Sequence, residues 1–474
     1  MLGSPLLNGD HAAADGADRR GLTPVQAFSV TCNYIIGTGI FSLPFAFSRA
    51  GVGFAAGSLL LSCFVSYVCI TFVIETLSRC EAIARIHEGE ISGPKFVMSS
   101  KTWEFTKIAE LLHSVKAKLV VQLLMCLYCY GALWSYASVF ASSASNLFFE
   151  WALNQSCDIY DAPTSSCSAG YMMSLAAFAV IVITLSLLDL KEQAIVQVCL
   201  TVYRFVAFVV ILWTVLYSMY FHAPPWYSGP PSPPYVSDVT VWNWSGYDIL
   251  TTSAVALTMH YNFPDVVAAL GKRDVGTIRS ISTAAFAVVT CLYMTVGVTC
   301  SLFFGRHTEE LVTLNFKRYT GPSFDGPSSQ PYAVVLRTLV VAFPVLDMIS
   351  VFPLVVLTLS ANLVRSCPET LLSAYSPTAI KRLSRLVAAV PPLVLAISDG
   401  NLDYIFGLTG MVAFFFEFFI PCWFVYLARS RCANIWGVTV TPYSSPFQRP
   451  VWIVACLLVA ILSLSLPIVA NLLS

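Results

Sequence analysis

The sequence predicts an all-α membrane protein that crosses the lipid bilayer eleven times. Of its 474 residues, 57% are hydrophobic and only 11% are charged, whereas soluble domains carry about a quarter charged residues. A helix needs about 20 apolar residues to cross a bilayer, and eleven stretches of suitable composition occur. Lys and Arg also concentrate on alternate loops, as the orientation of a multi-pass protein requires.

The eleven predicted spans follow a short polar tail. Residues 1–21 are rich in Ala, Gly and Asp, a composition typical of disorder. We therefore expect a cytosolic tail of residues 1–21 and one membrane domain of residues 22–474. The predicted spans, numbered 1 to 11, lie at about 22–48, 53–78, 117–150, 170–189, 194–221, 245–270, 278–304, 331–364, 383–398, 402–428 and 450–472.

The basic residues predict the orientation of these spans. Cytosolic loops of multi-pass proteins are enriched in Lys and Arg. With a cytosolic N-terminus, most of the 26 basic residues fall on cytosolic segments. An odd number of spans then places the C-terminus on the extracellular or lumenal side. The exceptions are Arg49, Arg306, Lys317 and Arg318 on the opposite side, and Arg204 and Arg337 within spans.

Two features of the predicted outer segments agree with this orientation. Asn154 and Asn243 begin glycosylation sequons, although Asn243 lies close to the membrane. Cys157 and Cys167 share a polar outer loop, where a disulfide can persist. The remaining cysteines show no metal-ligand spacing, so we expect no metal site. The net charge is zero, and the sequence shows no basic face, so we do not expect nucleic-acid binding.

Span 1 contains the stretch on which the functional prediction depends. Gly37, Thr38 and Gly39 form its poorest helix-forming patch. A break at this depth would free backbone groups, which are tolerated only where they line a cavity or are buried in protein. Broken helices of this kind form ligand sites in many transporters. Close packing of the glycines against another helix is the alternative explanation.

Span 6 carries a second interruption. His260 and Asn262 lie at its centre, and Pro264 removes a helix hydrogen bond. An ordinary proline kink would also explain this pattern. Interruptions five spans apart are, however, what two inverted repeats of five helices predict, with a site between the breaks. The repeats would cover about 22–221 and 245–428, and span 11 would be an extra helix.

Four ionisable residues lie deep within predicted spans, namely Arg204, His260, Asp347 and Glu417. Such residues are functional candidates. Arg204 and Asp347 lie at similar depth, so we expect them to pair, either as a permanent structural link or as part of ion coupling. A proton carrier would be Asp347, His260 or Glu417, because Arg stays protonated. Exposed carbonyls of span 1 with Asp347 and Ser350 would also suit a hard cation.

Four further residues are interpreted from their positions alone. Tyr130 and Trp134 are four apart on span 3 and share a helix face, which would line a pocket or pack against another helix. Glu75 and Asp265 lie nearer the cytosolic ends of their spans, where interfacial solvation explains them.

Several of these motifs resemble those of the amino acid/auxin permease family of the amino acid-polyamine-organocation superfamily. The similarity extends over about 22–472. Residues 71–75 and 130–133 are similar to the transmembrane protein 104 branch of that family. The family-wide motifs are similar to residues 33–40 in span 1, Met259-His260 with Pro264 in span 6, Phe352-Pro353 in span 8, and 407–410 with Ile420-Pro421 in span 10.

The resemblance implies a leucine-transporter-type fold with the five-plus-five inverted repeat. It implies an amino acid bound at the two breaks. The carboxylate of the amino acid would meet the N–H groups of Thr38, Gly39 and Ile40 at a helix N-terminus. Its ammonium would meet carbonyls near Leu257 to His260.

The resemblance also bears on the coupling ion. In sodium-coupled relatives, an Asn at the position of Asn33 and a span 8 hydroxyl hold the cation. Here the hydroxyl is not clearly at its usual place, and Asp347 lies close by. In some proton-driven members of the superfamily, a cationic residue of span 5 takes the place of sodium, and Arg204 would do so here.

We therefore expect a secondary active transporter of neutral amino acids, driven by H⁺ or Na⁺ and working by alternating access. It would lie in the plasma membrane or in a lysosomal or other endomembrane, and its partners would be the amino acid and the bilayer. An amino-acid sensor without transport, signalling through residues 79–116 or the tail, is the alternative. The sequence shows neither a Ser/His/Asp cluster nor metal-ligand spacing, so we do not expect an enzyme. Substrate identity and oligomeric state do not follow from the sequence.

Overall fold

The computed structural model describes residues 21–37, 39–87, 89, 95–153, 155, 157, 159, 164–187, 194–230, 232–326, 329–367, 373–398 and 400–473. Within these residues the protein is helical, with two isolated β-bridges and no β-strand. The helices are α1 (Pro24–Ile35), α2 (Gly39–Ala50), α3 (Val52–His87), α4 (Phe105–Leu112), α5 (Val115–Leu153), α6 (Ser165–Leu187), α7 (Ala194–Phe221), α8 (Asp248–Leu257), α9 (Phe263–Ala269), α10 (Val275–Phe304), α11 (Pro331–Ser366), α12 (Pro377–Ser398), α13 (Leu402–Phe414), α14 (Ile420–Trp436) and α15 (Pro450–Leu473).

The helix lengths confirm a multi-pass, all-α membrane protein. Among the described residues, seven helices are long and apolar enough to cross a bilayer, with α13 and α14 counted as one. The bent pair α1–α2 makes eight. Of the other predicted spans, the sixth is divided into α8 and α9, α12 carries three basic residues in its first half, and α15 contributes the shorter apolar stretch Pro450–Leu466 among the residues whose side chains are described. Eleven spans therefore stay a prediction.

The first membrane helix is broken where the glycines predicted a break. Thr23 caps α1 by accepting a hydrogen bond from the Gln26 N–H, and α1 ends at Ile35. The axes of α1 and α2 differ by 51°. The side of the membrane on which α1 begins is called the N-terminal side below, and the opposite side is called the far side.

The two glycines at this break have different environments. No heavy atom lies within 4 Å of the position that a Cβ on Gly37 would occupy. A Cβ on Gly39 would instead lie 2.7 Å from the Cβ of Ala256, because α2 and α8 pack directly together. Gly37 is therefore at an open break, whereas Gly39 permits the close helix contact that the alternative explanation required.

The second break separates α8, which ends at Leu257, from α9, which begins at Phe263. The two N-terminal-side segments, α1 and α9, are joined at their ends. The Leu22 N–H donates to the Ala269 carbonyl at 2.8 Å, and the Gly271 N–H donates to the Leu22 carbonyl at 3.1 Å. Each broken helix is thus paired half with half, α1 with α9 and α2 with α8.

The α13–α14 helix contains a third irregularity. One turn of π-helix, Phe415–Phe419, joins the two parts and carries Glu417. Pro421 follows within the first turn of α14. Proline has no N–H to donate, so it is tolerated at this position next to the π-helical turn.

Glu75 is buried in a charged clamp, so the interfacial solvation predicted for it is wrong. Its side chain is 1% exposed. Its carboxylate accepts hydrogen bonds from Arg79 Nε at 3.0 Å, from Arg429 Nη2 at 2.6 Å, and from the Ser445 N–H at 2.9 Å. Arg79 lies one turn along the same helix from Glu75, whereas Arg429 is distant in sequence, so spacing along one helix could not show that both converge on this carboxylate. The clamp joins α3, α14 and the loop before α15.

We predict that Glu75→Gln lowers the thermal unfolding temperature in detergent. The substitution removes the charge that Arg79 and Arg429 share, and breaking a buried ion pair costs about 3–5 kcal/mol. Glu110→Gln is the control, because Glu110 pairs with Lys118 at 2.8 Å but is 42% exposed. Exposed pairs contribute about 1 kcal/mol or less. Equal unfolding temperatures for the two variants would contradict the clamp.

Candidate functional site

A cavity of about 460 Å³ reaches both helix breaks from the N-terminal side. Its volume is within the range of small-molecule sites, about 300–1,000 Å³. Its exposed lining residues, Tyr34, Asp265 and Thr358, lie on the N-terminal-side parts of their helices. Its deep end is formed by Arg204 and Asp347, which are 7% and 3% exposed. The cavity therefore opens on the side where the chain begins.

Arg204 connects the first break to α11. Its Nη2 donates to Asp347 Oδ1 at 2.6 Å, and its Nη1 donates to the Ile36 carbonyl at 3.1 Å. A longer hydrogen bond of 3.4 Å reaches Asn33 Oδ1. The guanidinium thus meets a carboxylate, a freed backbone carbonyl and a side-chain amide oxygen.

These oxygens are the kinds that a hard cation prefers. Asn33 and Asp347, both predicted to hold the coupling ion, lie around the guanidinium itself. Ser350 also lines the cavity, and its hydroxyl donates to the Asp347 carbonyl at 3.2 Å. The structure therefore brings the four predicted ion-coupling residues together, with Arg204 at the centre where a cation would be held.

Tyr293 of α10 holds the ends of both broken helices. Its hydroxyl lies 2.9 Å from the Ile35 carbonyl at the end of α1 and 2.9 Å from the Ala256 carbonyl near the end of α8. The residue is fully buried. A helix end leaves its last carbonyls without intrahelical donors, and this phenol serves both ends. Sequence reasoning missed it, because a single Tyr in an apolar helix looks like ordinary packing.

The predicted substrate residues are only partly at the cavity. Gly37 lines it, whereas Gly39 and Ile40 are buried in α2 and do not. Thr38 lies outside the described residues. Leu257 and His260 are also buried away from the cavity. The cavity approaches the breaks from the N-terminal side, and α2 packs against α8 beyond it, so these groups are covered.

The face of α5 that lines the cavity is opposite to the predicted face. The Tyr130 hydroxyl donates to the Val387 carbonyl of α12 at 2.9 Å, and the Trp134 ring contacts Tyr404 at 6.2 Å. Tyr128 and Tyr136 line the cavity instead. Positions two residues apart point about 200° apart around an α-helix, so Tyr128 and Tyr130 lie on opposite faces. An apolar helix with tyrosines on both faces does not reveal which face meets the cavity.

The second break contributes uncharged groups and one carboxylate. Thr258, Tyr261 and Asn262 line the cavity, and Asp265 lies at its mouth. Asp265 is exposed, as predicted, but its position at the cavity was not recognised. Lys107 of α4 interacts with it electrostatically.

The far side carries the predicted outer features. Cys157 and Cys167 form a disulfide. Asn243 is half-buried, and its Nδ2 donates to the Arg49 carbonyl at 2.8 Å, so its side chain connects the segment before α8 to the end of α2. Asn154 lies outside the described residues.

Three cysteines form a group that sequence spacing could not predict. Cys69, Cys422 and Cys456 come from three helices, and their sulfur atoms lie within 4.8 Å of one another. All three are buried. Thiolates suit soft metals, but reduced thiols among apolar helices also pack as small hydrophobic groups, and no charged ligand joins them among the described residues.

We predict that Tyr293→Phe lowers the thermal unfolding temperature in detergent. The variant removes a hydroxyl whose single hydrogen lies within reach of two buried carbonyls, and an unsatisfied buried polar group costs about 1–3 kcal/mol. Tyr67→Phe is the matched control, since the Tyr67 hydroxyl makes one exposed contact, with Thr283 at 2.9 Å. If Tyr293→Phe had the same unfolding temperature as the wild-type protein, the Tyr293 hydroxyl would not stabilise the breaks.

Comparison with known proteins agrees with the architecture. The sequence profile of the transmembrane amino acid transporter protein family matches residues 20–469. The transmembrane protein 104 homologue of Caenorhabditis elegans is 26% identical, over 89% of this chain and 91% of its own length. The Drosophila melanogaster homologue is 23% identical, over 97% and 98%. Human transmembrane protein 104 is 22% identical, over 89% and 90%.

Among solved structures, the inward-facing conformation of Mhp1 aligns with a TM-score of 0.48 and 13% identity, over 95% of this chain and 91% of that one. The family match is much the stronger finding, because it extends over nearly the whole chain and includes both helix breaks. The chain therefore belongs to the transmembrane amino acid transporter protein family, whose members are membrane transporters and not enzymes.

Proposed function

We propose that this protein is a secondary active transporter that moves neutral amino acids by alternating access. The observation that carries the proposal is a cavity that ends between two broken helices and opens on one side of the membrane only. Transporters of this architecture bind small ligands at such breaks. Family membership supports the same conclusion, and the eleven-span, five-plus-five fold is part of this proposal.

The far side of the cavity is closed by aromatic packing. Phe208 follows Arg204 by one turn of α7, and Phe343 precedes Asp347 by one turn of α11. Their rings pack 5.5 Å apart, and the Phe41 ring of α2 lies 5.2 Å from that of Phe343. These three buried rings lie beyond the ion pair on the route to the far side. The conformation is thus one end state of an alternating-access cycle, and it faces the cytosol if the N-terminus is cytosolic.

The charges around the cavity favour a neutral amino acid. Arg204 and Asp347 neutralise each other at the deep end, and Asp265 at the mouth interacts electrostatically with Lys107. The remaining polar lining is uncharged. A zwitterion with an uncharged side chain leaves no charge unpaired in such a cavity, whereas a cationic or anionic side chain would. We propose that the carboxylate binds at the N-terminal end of α2, around residues 38–40, once the covering contacts open.

Arg204 also bears on ion coupling. Its guanidinium fills the position between the freed Ile36 carbonyl and the Asp347 carboxylate, where a sodium ion would need the same oxygens. We therefore propose that sodium does not bind there, and that Arg204 and Asp347 stay paired with each other at this part of the site. The coupling ion must then act at another group.

We predict that purified protein in proteoliposomes takes up radiolabelled neutral amino acids saturably, and that Ala132→Leu abolishes this uptake. Ala132 lines the cavity, so a larger side chain fills the volume that the substrate needs. Ala144→Leu is the matched control on the same helix, because Ala144 is half-buried and away from the cavity.

Three outcomes would contradict the proposal. No saturable uptake or exchange of any amino acid would show that the family's activity does not extend to this chain. Binding of an amino acid without flux would instead indicate a sensor. Equal loss of uptake in Ala132→Leu and Ala144→Leu would show that the cavity is not the binding site.

A further inference from the structure

Glu417 is a buried carboxyl group without a hydrogen-bond partner. It lies in the π-helical turn Phe415–Phe419, and its side chain is 0% exposed. Neither Oε1 nor Oε2 has a hydrogen-bond partner within the described residues. π-helical turns inside longer helices often mark functional positions.

The other buried carboxylates in the described part of the chain have strong donors. Asp347 pairs with Arg204 at 2.6 Å, and Glu75 pairs with Arg429 at 2.6 Å. Glu81 accepts from Trp103 Nε1 at 2.7 Å and pairs with Arg85. An ionised carboxylate in an apolar interior needs such partners. Glu417 has none, so its stable form in this conformation is the neutral acid, which is a bound proton.

The groups that face Glu417 contain no cation. Within the described residues, it interacts with the Ser66 hydroxyl and Cys63 of α3 and with Tyr128 of α5. On α15, which also packs against the π turn, the only titratable side chain is Cys456, which faces the cysteine group described above. Its partner there from α14 is Cys422.

Ser66 also contacts the second helix break. The Ser66 carbonyl lies 3.0 Å from His260 Nε2. A carbonyl can only accept, so Nε2 carries the hydrogen and Nδ1 keeps a free lone pair. His260 Nδ1 has no partner among the described residues. Ser66 therefore contacts His260 on the Nε2 side of the ring through its backbone carbonyl and interacts with Glu417 through its hydroxyl, so this part of α3 connects Glu417 to the second break.

We propose that Glu417 is the proton-binding site that couples this transporter to a pH gradient, with His260 as its route to the cavity. The inference rests on the proposed transport function. On release, movement of the second break brings His260 Nδ1 to Glu417 and exposes the ring to the cavity. The O–H bond of the Glu417 carboxyl then breaks, and an N–H bond forms at His260 Nδ1. The products are a carboxylate and an imidazolium, and the imidazolium then loses its extra proton to water in the cavity.

Movement of the break controls this transfer. His260 follows the end of α8, and its neighbours Thr258 and Tyr261 line the cavity. A conformational change that rearranges residues 258–262 moves His260 relative to Ser66 and Glu417. The same change alters the substrate site, so proton release and substrate release depend on one segment.

Glu417→Gln tests the proposal, because Gln matches the size of the neutral acid but cannot release a proton. In proteoliposomes we expect loss of the amino acid accumulation driven by a pH gradient. Exchange of internal for external amino acid at equal pH is expected at the wild-type rate, since exchange needs no net proton movement. Glu110→Gln is the control for loss of an exposed carboxylate, with both activities unchanged.

Two results would overturn the proton site. One is full pH-driven accumulation by Glu417→Gln. The other is accumulation by the wild-type protein under a sodium gradient at equal pH, with none under a pH gradient. A Glu417→Gln protein that does not fold would also contradict it, because a neutral acid should tolerate this replacement.

Infrared spectroscopy of the purified protein separates this proposal from the transport function. We expect the wild-type spectrum to contain the carbonyl stretch of a protonated carboxyl group, and Glu417→Gln to lack it. Loss of this band together with no uptake or exchange by the wild-type protein would support the proton site and contradict the transport function. An identical band in both proteins would overturn the proton site.

Discussion

The carbonyl groups that are freed where the first membrane helix breaks need hydrogen-bond donors, and the rest of the site depends on how they are supplied. Lipid supplies no donor in the hydrocarbon region. Arg204 donates to the Ile36 carbonyl, and the Ile35 carbonyl is contacted by the Gly37 N–H and the Tyr293 hydroxyl. A buried guanidinium must itself be neutralised, which requires Asp347. One backbone interruption thus brings residues from α7, α10 and α11 to the cavity.

The protein deals with its buried carboxylates in three ways, and each corresponds to a different role. Glu75 receives two arginines and joins helices near the N-terminal side. Asp347 receives one arginine, which also serves the helix break. Glu417 receives none. The first arrangement stabilises the fold, and the second forms the site. The third leaves a group whose charge can change during a transport cycle.

The sequence predicts features that depend on local helix propensity or on the depth of a residue in the membrane. Gly37 and Pro264 weaken a helix wherever it lies, so the two breaks were predictable. Depth follows from counting residues along a helix, so the Arg204–Asp347 pair was also predictable. Helix rotation and tertiary convergence were not. Both faces of α5 carry tyrosines, and the arginines at Glu75 come from separate helices. The side on which the cavity opens reflects a small free-energy difference between conformations, which sequence patterns do not encode.

The central claim is that Arg204 takes the place of a bound cation at the first break. Thermal unfolding of purified protein in NaCl and in choline chloride of equal ionic strength tests it directly, because an ion that binds the folded state raises the unfolding temperature. The account predicts equal unfolding temperatures in the two salts for the wild-type protein. For Arg204→Ala, in which the guanidinium no longer lies between the oxygens of Ile36 and Asp347, we expect a higher unfolding temperature in sodium. Stabilisation of the wild-type protein by sodium, or no effect of sodium on Arg204→Ala, would contradict it.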